Sequence, residues 1–91
     1  MSKKLDKIPV KLNIKVKEQD KGYMIFNLDT SGFHLLQKDG IDVLEKVDGS
    51  RTIKEISEIV SEEKNEPLDK VQEQLLNFFE GLEKRKIIKW K

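Results

Sequence analysis

The order of the sequence patterns constrains the fold most, because strand-like patterns come first and helical patterns follow. Residues 10–16 alternate apolar side chains with lysine and asparagine, which is typical of a half-buried strand. Two further apolar runs, residues 23–28 and 33–37, are joined by the tight-turn sequence Asp29-Thr30-Ser31-Gly32. In this turn we expect Gly32 to supply the positive φ. The chain therefore begins with three predicted antiparallel strands.

Three helices are predicted after the strands. A short helix over residues 41–47 is stopped by Asp48-Gly49. Thr52 and Glu55 have the spacing of a capping box, which starts a second helix that reaches about residue 63. After Pro67 a third helix is predicted over residues 69–85, with Asp69 and Gln72 as a second capping pair. The fold class is α+β.

The third helix carries more apolar residues than one stripe needs. We expect Val71, Leu75, Phe78 and Leu82 to face the core. Leu76 and Phe79 widen this stripe on one side, and they are either ordinary core residues or the wall of a groove. Gly81 costs about 1 kcal/mol relative to alanine inside a helix, which suggests close packing at that position. The tail of residues 87–90 is apolar enough to cover the core.

Length and composition exclude several classes of protein. The 91 residues suit one domain over residues 10–91, preceded by a flexible basic arm over residues 1–9. The net charge of +1 argues against non-specific binding to nucleic acid or to a membrane surface. The chain has no cysteine, which fits a reducing compartment, and no apolar run approaches the roughly 20 residues of a membrane span. We expect a cytoplasmic protein.

No constellation of catalytic residues is recognisable. His34 is the only histidine and has no cysteine partner, so a strand residue at the surface is favoured over a metal ligand or a base. The acidic pairs Asp42 with Glu45 and Glu62 with Glu63 are typical of a solvated helix surface. We therefore expect no enzymatic activity, no catalytic residue, no metal site and no cofactor.

The sequence resembles the PqqD-like family, the leader-peptide recognition elements of ribosomally made and modified peptides. The resemblance covers roughly residues 11–88, and its most specific part is Asp48-Gly49-Ser50-Arg51-Thr52-Ile53. Two positions depart from the family pattern: Leu36-Gln37 stands where Leu-Asn is common, and Arg85-Lys86 where Lys-Gly is frequent. The other matching residues are the turn 29–32, Leu36, Gly40, Val43, Leu44, Glu55, Ile56, Phe79, Leu82 and Ile87.

The resemblance implies a winged-helix-like domain that holds the leader of a precursor peptide and presents the peptide to a modifying enzyme. That enzyme is a radical-SAM protein or a leader peptidase. The leader adds as a strand to the third strand, in a groove walled by the third helix. An edge strand with unpaired amides favours the same site on physical grounds. The expected peptide-binding residues are Gly32, Phe33, His34, Leu35, Leu36 and Gln37 on the strand, and Gln72, Leu76, Phe79 and Glu83 on the helix.

Two other functions stay open. Helices two and three could form the helix-turn-helix of a winged-helix DNA-binding protein. However, residues 69–84 carry two lysines and four acidic residues, a net charge of −2 that repels phosphate. The chain could also be a small structural subunit of a larger complex. An exposed edge strand permits either a monomer or a strand-exchanged dimer.

Overall fold

The computed structural model describes residues 3–91. A 3₁₀ turn at Lys3–Asp6 precedes five strands and three α-helices in this part of the chain, and the predicted α+β class is confirmed. The three-stranded sheet followed by three helices has a winged-helix-like arrangement. The strands are β1 (Pro9–Lys11), β2 (Ile14–Gln19), β3 (Gly22–Asn27), β4 (Phe33–Leu36) and β5 (Ile88–Trp90), and the helices are α1 (Lys38–Leu44), α2 (Ile53–Lys64) and α3 (Leu68–Lys84).

The strands form two antiparallel sheets. One has the order β2-β3-β4, and the other pairs β1 with β5. The prediction of one continuous strand over residues 10–16 is therefore wrong. The chain leaves the small sheet at Leu12, whose amide donates to the carbonyl of Ile87 at 3.0 Å. It enters the larger sheet at Asn13, whose carbonyl accepts from the amide of Leu28 at 2.9 Å.

One hydrophobic core lies between the helices and the inner face of the larger sheet. The predicted tail covers it, since Ile87 and Ile88 are buried. On α3, Phe79 rather than Phe78 belongs to the buried stripe, because Phe79 is fully buried and Phe78 is only half-buried. The remaining core residues are Ile25, Leu36, Ile41, Val43, Leu44, Val47, Ile53, Ile56, Val60, Val71, Leu75 and Leu82.

The helix starts follow the predictions in part. The capping box of α2 is confirmed: the Glu55 amide donates to the Thr52 hydroxyl at 3.1 Å, and the Thr52 amide donates to the Glu55 carboxylate at 2.8 Å. The second capping pair is wrong, because Pro67 is the N-cap of α3 and no side chain caps that end. Helix α1 begins three residues earlier than predicted, so Gly40 lies inside the helix.

The segment before α2, which carries the most specific part of the resemblance, is held by Asp48. Its carboxylate accepts hydrogen bonds from the amide and the hydroxyl of Ser50, at 2.9 and 3.0 Å, and from the amide of Arg51 at 3.0 Å. The bonds from Ser50 lower the pKa of the Asp48 carboxyl below its ordinary value. This stretch therefore sets the entry into α2, which is a structural role.

The predicted arm over residues 1–9 lies partly outside the described residues, which exclude Met1 and Ser2. In its described part, Leu5 packs against the core and the carbonyl of Lys7 accepts from the amide of Ile53 at 3.1 Å. Pro9 is buried and begins β1. The mobility of this segment and the domain boundary at residue 10 stay predictions.

Candidate functional site

Strand β4 lies at one edge of the three-stranded sheet, and no strand within residues 3–91 pairs with its outer side. The amide of Asn27 donates to the carbonyl of Gly32 at 2.8 Å, so these two opposite residues form a hydrogen-bonded pair of the β3–β4 ladder. Bonded pairs alternate along an antiparallel ladder, so His34 and Leu36 point their backbone groups at β3. The amides and carbonyls of Phe33 and Leu35 therefore point out of the sheet, toward the free edge.

The side chains of β4 alternate between the two faces of the sheet. Leu36 is buried and His34 half-buried on the inner face, whereas Phe33 and Leu35 are 60% and 65% exposed on the outer face. Phe33 packs against Phe26 of the neighbouring strand, with ring centroids 6.3 Å apart. The free edge thus combines unpaired backbone groups with large exposed apolar side chains.

The opposite edge of the same sheet differs in composition. Strand β2 carries Lys15, Lys17 and Glu18, all of them exposed. Charged side chains on an edge strand discourage the pairing of another strand. Strand β4 has no Asp, Glu, Lys or Arg, so it is the edge that is open to an added strand.

Two contacts link the three-stranded sheet and the start of α1 to α3 and to the segment that follows it. A Cβ placed on Gly40 would lie 3.3 Å from Cε1 of Phe78 and 3.6 Å from Cβ of Leu36, so Phe78 lies close to the end of β4. The side-chain amide of Asn27, at the end of β3, donates to the carbonyl of Lys86, two residues after α3 ends. Phe78 thus brings α3 close to Leu36 at the end of β4, and we call the space between these two elements the groove.

One face of α3 forms the helical wall of this groove. Gln74, Phe78, Gly81 and Arg85 follow the i, i+4, i+7, i+11 spacing of a single face, which we call the Phe78 face. Beside this face, a cleft of about 350 Å³ lies between α1, α2 and α3; Gly40, Gln74 and Phe78 line it, and no residue of β4 does. A Cβ added to Gly81 would meet no atom within 4 Å, so the close packing expected at this glycine is wrong. Gly81 therefore leaves open space on the Phe78 face.

The four helical residues predicted to bind peptide share a different face of α3. Phe79 is fully buried, and its ring centroid lies 6.4 Å from that of Trp90 in β5. Gln72 and Leu76 are half-buried and Glu83 is exposed, and all three follow the same helical spacing as Phe79. This face is turned toward β5, whereas Phe78 is turned toward Gly40. Of the two faces, the structure therefore brings the Phe78 face, through Phe78 itself, close to Leu36 at the end of the predicted strand residues.

The predicted strand residues 32–37 lie together along the groove, while Gln74, Phe78 and Gly81 were missed. A signal for them was present in the sequence, because a glycine three residues after a phenylalanine leaves a gap beside the aromatic ring on the same face of the helix. The role of each of these residues in binding stays a prediction.

Other kinds of site have little support in the described part of the chain. Residues 3–91 contain no group of three or more His, Cys, Asp or Glu side chains that could hold a metal ion. Among the same residues, no helix combines the length and the apolar character needed to cross a membrane. The candidate site is therefore the groove between β4 and the Phe78 face.

Comparison with known proteins gives the family. The model of the family described as coenzyme PQQ synthesis protein D (PqqD) matches residues 22–88. The chain belongs to the PqqD family. The PqqD match begins in β3 and ends in β5, so it includes β4, the three helices and the whole of the groove.

Solved structures support the fold of this PqqD-family chain. The structure of TbiB1 in complex with the TbiA(beta) leader peptide is similar, with a TM-score of 0.73 and 16% sequence identity. The similarity covers 85% of this chain and 90% of that one. At this level of identity the likeness establishes the fold alone. Among proteins with curated descriptions, none matches the chain.

Proposed function

We propose that this PqqD-family protein is a non-catalytic module that binds the leader of a ribosomally made precursor peptide. The leader joins the sheet as a strand on β4. The observation that carries the proposal is the free edge of β4, where the backbone groups of Phe33 and Leu35 lack a partner strand beside the Phe78 face. Membership of the PqqD family supports it, and so does the fold shared with TbiB1, a protein whose structure contains a leader peptide.

The incoming strand would be recognised in two ways. Its amides and carbonyls pair with those of Phe33 and Leu35, which gives affinity that does not depend on sequence. Its side chains alternate, so every second one enters the groove and contacts Leu36, Phe78 and the space beside Gly81. These inward side chains give specificity. The strand residues of the proposed site are Gly32, Phe33, His34, Leu35, Leu36 and Gln37.

The helical wall of the proposed site is the Phe78 face. The face that carries Gln72, Leu76 and Glu83 is the alternative wall, because Leu76 is a half-buried apolar residue there. Phe79 supports either wall from the core, since it has no exposed surface. Variants on the two faces of α3 separate these possibilities.

The partner of the loaded complex would be a modifying enzyme, such as a radical-SAM protein or a leader peptidase. An added strand is covered on one face by the groove and stays open on the other, so the rest of the precursor remains accessible. We place this function in the cytoplasm, where ribosomal precursors are made. The module itself holds the peptide and performs no chemistry.

The test is calorimetric titration with candidate precursor peptides, taken from short reading frames that neighbour this gene; we call the one that binds the precursor. Leu35→Pro removes an amide that points at the free edge, so the β3–β4 ladder should survive while peptide binding is lost. Leu35→Ala keeps that amide and should retain most of the affinity. Equal affinity of wild type and Leu35→Pro for the precursor would show that no strand is added here.

A strand-exchanged dimer would use the same edge, because β4 of a second copy pairs as well as a peptide does. The two occupants compete. Size-exclusion chromatography should therefore show that the precursor peptide shifts any dimer to a monomer, and a dimer that keeps its size when saturated with peptide would place the peptide elsewhere.

DNA binding is the second candidate, since α2 and α3 are consecutive helices of a winged-helix-like domain. Asp69, Glu73 and Glu83 place negative charge on the exposed part of α3, where a recognition helix needs donors to phosphate. We expect gel shifts with random and genomic duplexes to show no selective binding at physiological salt. Selective, sub-micromolar binding would instead favour the helix-turn-helix. If neither DNA nor the precursor binds, a structural subunit of a larger complex is the function that remains.

A further inference from the structure

The outer face of the three-stranded sheet carries an ordered pattern of side chains. Directly opposite residues of an antiparallel ladder point to the same face, so the registers of β2, β3 and β4 define rows that cross the sheet. One row is Lys15, Phe26 and Phe33, and the other is Lys17, Met24 and Leu35. Each row therefore runs from a lysine on β2 to an exposed apolar side chain on β4.

The apolar half of the outer face is open to solvent. The core lies against the inner face of the sheet, whereas Phe33 and Leu35 are each more than half exposed on the outer one. A hollow of about 390 Å³ lies beside Met24 and Leu35 and reaches the β2–β3 turn. A continuous apolar area with a hollow, on a domain of this size, is typical of a surface that contacts another molecule.

The charged half of the outer face carries one sign of charge along the strands. Lys15 and Lys17 are exposed, and neither forms an ion pair in the part of the chain that the structure describes. Glu18 also lies on β2, but it stands opposite Tyr23 and points to the other face. The strand residues of the outer face therefore present two unpaired ammonium groups and no carboxylate.

Carboxylates occur at the two ends of this face, in the turns. Asp20 lies in the β2–β3 turn next to Lys21, and both residues line the hollow. Asp29, in the β3–β4 turn, accepts a hydrogen bond from the side-chain amide of Asn13 at 3.4 Å. Neither aspartate pairs with a lysine of the two rows. A molecule that covers the outer face must therefore supply carboxylates of its own, because an ammonium group that is covered without a partner is costly.

Three kinds of occupant fit this face to different degrees. A second copy of the chain brings the same two lysines and no strand carboxylate, so the ammonium groups would be covered without partners. An anionic membrane is recognised by clusters of about four or more basic residues, and the two rows hold only two. A protein surface that combines a protruding apolar side chain with nearby carboxylates matches both halves of the face.

We infer that the outer face of the sheet docks the modifying enzyme. A surface of that enzyme places an apolar side chain in the hollow beside Met24 and Leu35, and its carboxylates lie over Lys15 and Lys17. The inference rests on the proposed function and assigns the contact between module and enzyme. Phe33 and Leu35 place the outer face directly beside the free edge of β4, so an enzyme docked here lies next to the bound leader.

Biolayer interferometry with immobilised candidate enzymes, taken from reading frames that neighbour this gene, tests the docking face. The wild-type module loaded with precursor gives the reference affinity. We expect Lys15→Glu with Lys17→Glu to weaken enzyme binding about tenfold at low salt, because two attractive contacts become repulsive. The same variant should lose most of the salt dependence that wild type shows. Met24→Gln keeps the size of the side chain, makes the hollow polar and should also weaken enzyme binding.

Matched controls separate the docking face from net charge and from the peptide site. Lys54→Glu with Lys89→Glu changes the net charge equally at exposed positions on α2 and β5, and it should keep the affinity for the enzyme. Calorimetry with the precursor should give wild-type affinity for every variant, since none of the changed residues belongs to the proposed peptide site. Circular dichroism verifies that the variants are folded.

The outcomes separate this inference from the proposed function. Wild-type enzyme binding in both outer-face variants, or an equal loss in the two double variants, overturns the docking face and leaves peptide binding standing. Failure of every candidate enzyme to bind the loaded module overturns it as well, while the titration with the precursor decides the proposed function separately. Binding to phosphatidylcholine–phosphatidylserine vesicles that is lost in Lys15→Glu with Lys17→Glu would assign the face to a membrane. Dimerisation that is lost in Met24→Gln would assign it to a second copy.

Discussion

The side-chain amide of Asn27 donates a hydrogen bond to the carbonyl of Lys86, a residue 59 positions later in the chain. The side-chain oxygen of Asn27 accepts from the amides of Asp29 and Thr30, at 2.8 and 3.0 Å. One buried asparagine thus shapes the β3–β4 turn and joins that turn to the segment that follows α3. Because the proposed site lies between β4 and α3, we expect Asn27 to help fix the position of one element relative to the other.

Replacement of Asn27 tests this connection. Asn27→Ala removes the donor and the acceptor and leaves the carbonyl of Lys86 without its side-chain donor, so we expect a loss of about 1–3 kcal/mol in unfolding free energy. Asn27→Asp keeps the acceptor for the turn and loses the donor to Lys86. Chemical denaturation measures stability, and titration with the precursor measures affinity. Asn27→Asp should bind the peptide more weakly while the amide shifts of Asp29 and Thr30 stay close to those of wild type. That result would show that the link to α3 controls the groove.

Phe78 and Phe79 are adjacent, with ring centroids 5.5 Å apart, but they should respond differently to truncation. Phe79 is fully buried, so Phe79→Ala should cost about 3–5 kcal/mol of stability. Phe78 is half-buried beside Gly40, so Phe78→Ala should cost less stability and lower peptide affinity roughly thirtyfold, as expected for an aromatic anchor. Leu76→Ala, on the other face of α3, is the control and should keep its affinity. Loss of binding in Leu76→Ala with full binding in Phe78→Ala would assign the wall to the opposite face.

Gly81 offers a variant in which stability and binding move in opposite directions. Leucine is a better helix former than glycine, so Gly81→Leu should stabilise the fold by up to about 1 kcal/mol. The new side chain enters open space on the Phe78 face and should block the peptide. Glu73→Leu adds the same side chain at an exposed position of α3 outside the Phe78 face and should leave affinity unchanged. Thermal unfolding measures the stability of each variant, and titration with the precursor measures its affinity. Unimpaired peptide binding in Gly81→Leu would place the peptide away from this face.

Asp48 predicts a dependence of stability on pH. Its pKa is lowered in the folded protein by the hydrogen bonds from Ser50, so it stabilises the fold at pH values above the ordinary 3.8 of an aspartate. That contribution is lost as the pH falls through the lowered pKa, because the unfolded chain takes up the proton first. Asp48→Asn keeps an oxygen acceptor without the titrating charge, so its melting temperature should fall less than that of wild type between neutral and acidic pH. Asp20→Asn, in the exposed β2–β3 turn, should follow wild type.

Local patterns in the sequence predicted local structure well. The capping box of Thr52 and Glu55 could be predicted because both partners lie within one turn of the same helix. The free strand edge could also be predicted, since β3 and β4 are joined by a short turn and the helices follow directly. At that turn the position of the positive φ was wrong: Ser31 adopts it, with φ 62°, and Gly32 does not.

Features that depend on distant packing could not be predicted from the sequence. Phe78 and Phe79 differ by only 100° around the helix, and both fit the same broad apolar stripe. The side that faces the core is decided by β5, where Trp90 packs on Phe79. The break between β1 and β2 was hidden for a related reason, because the alternation of apolar residues continues unchanged through Leu12 and Asn13. The placing of Phe78 rather than Phe79 in the core stripe was therefore wrong for reasons of tertiary packing.

Amide hydrogen exchange at β4, with and without the precursor peptide, tests strand addition most directly. In the free protein the amides of His34 and Leu36 point at β3 and should exchange slowly, whereas those of Phe33 and Leu35 point at the free edge and should exchange fast. Saturation with the precursor should protect Phe33 and Leu35 and shift signals on the Phe78 face. Strand addition on β4 would be contradicted if both edge amides still exchange fast in the presence of bound peptide. It would also be contradicted if the peptide protects β2 instead.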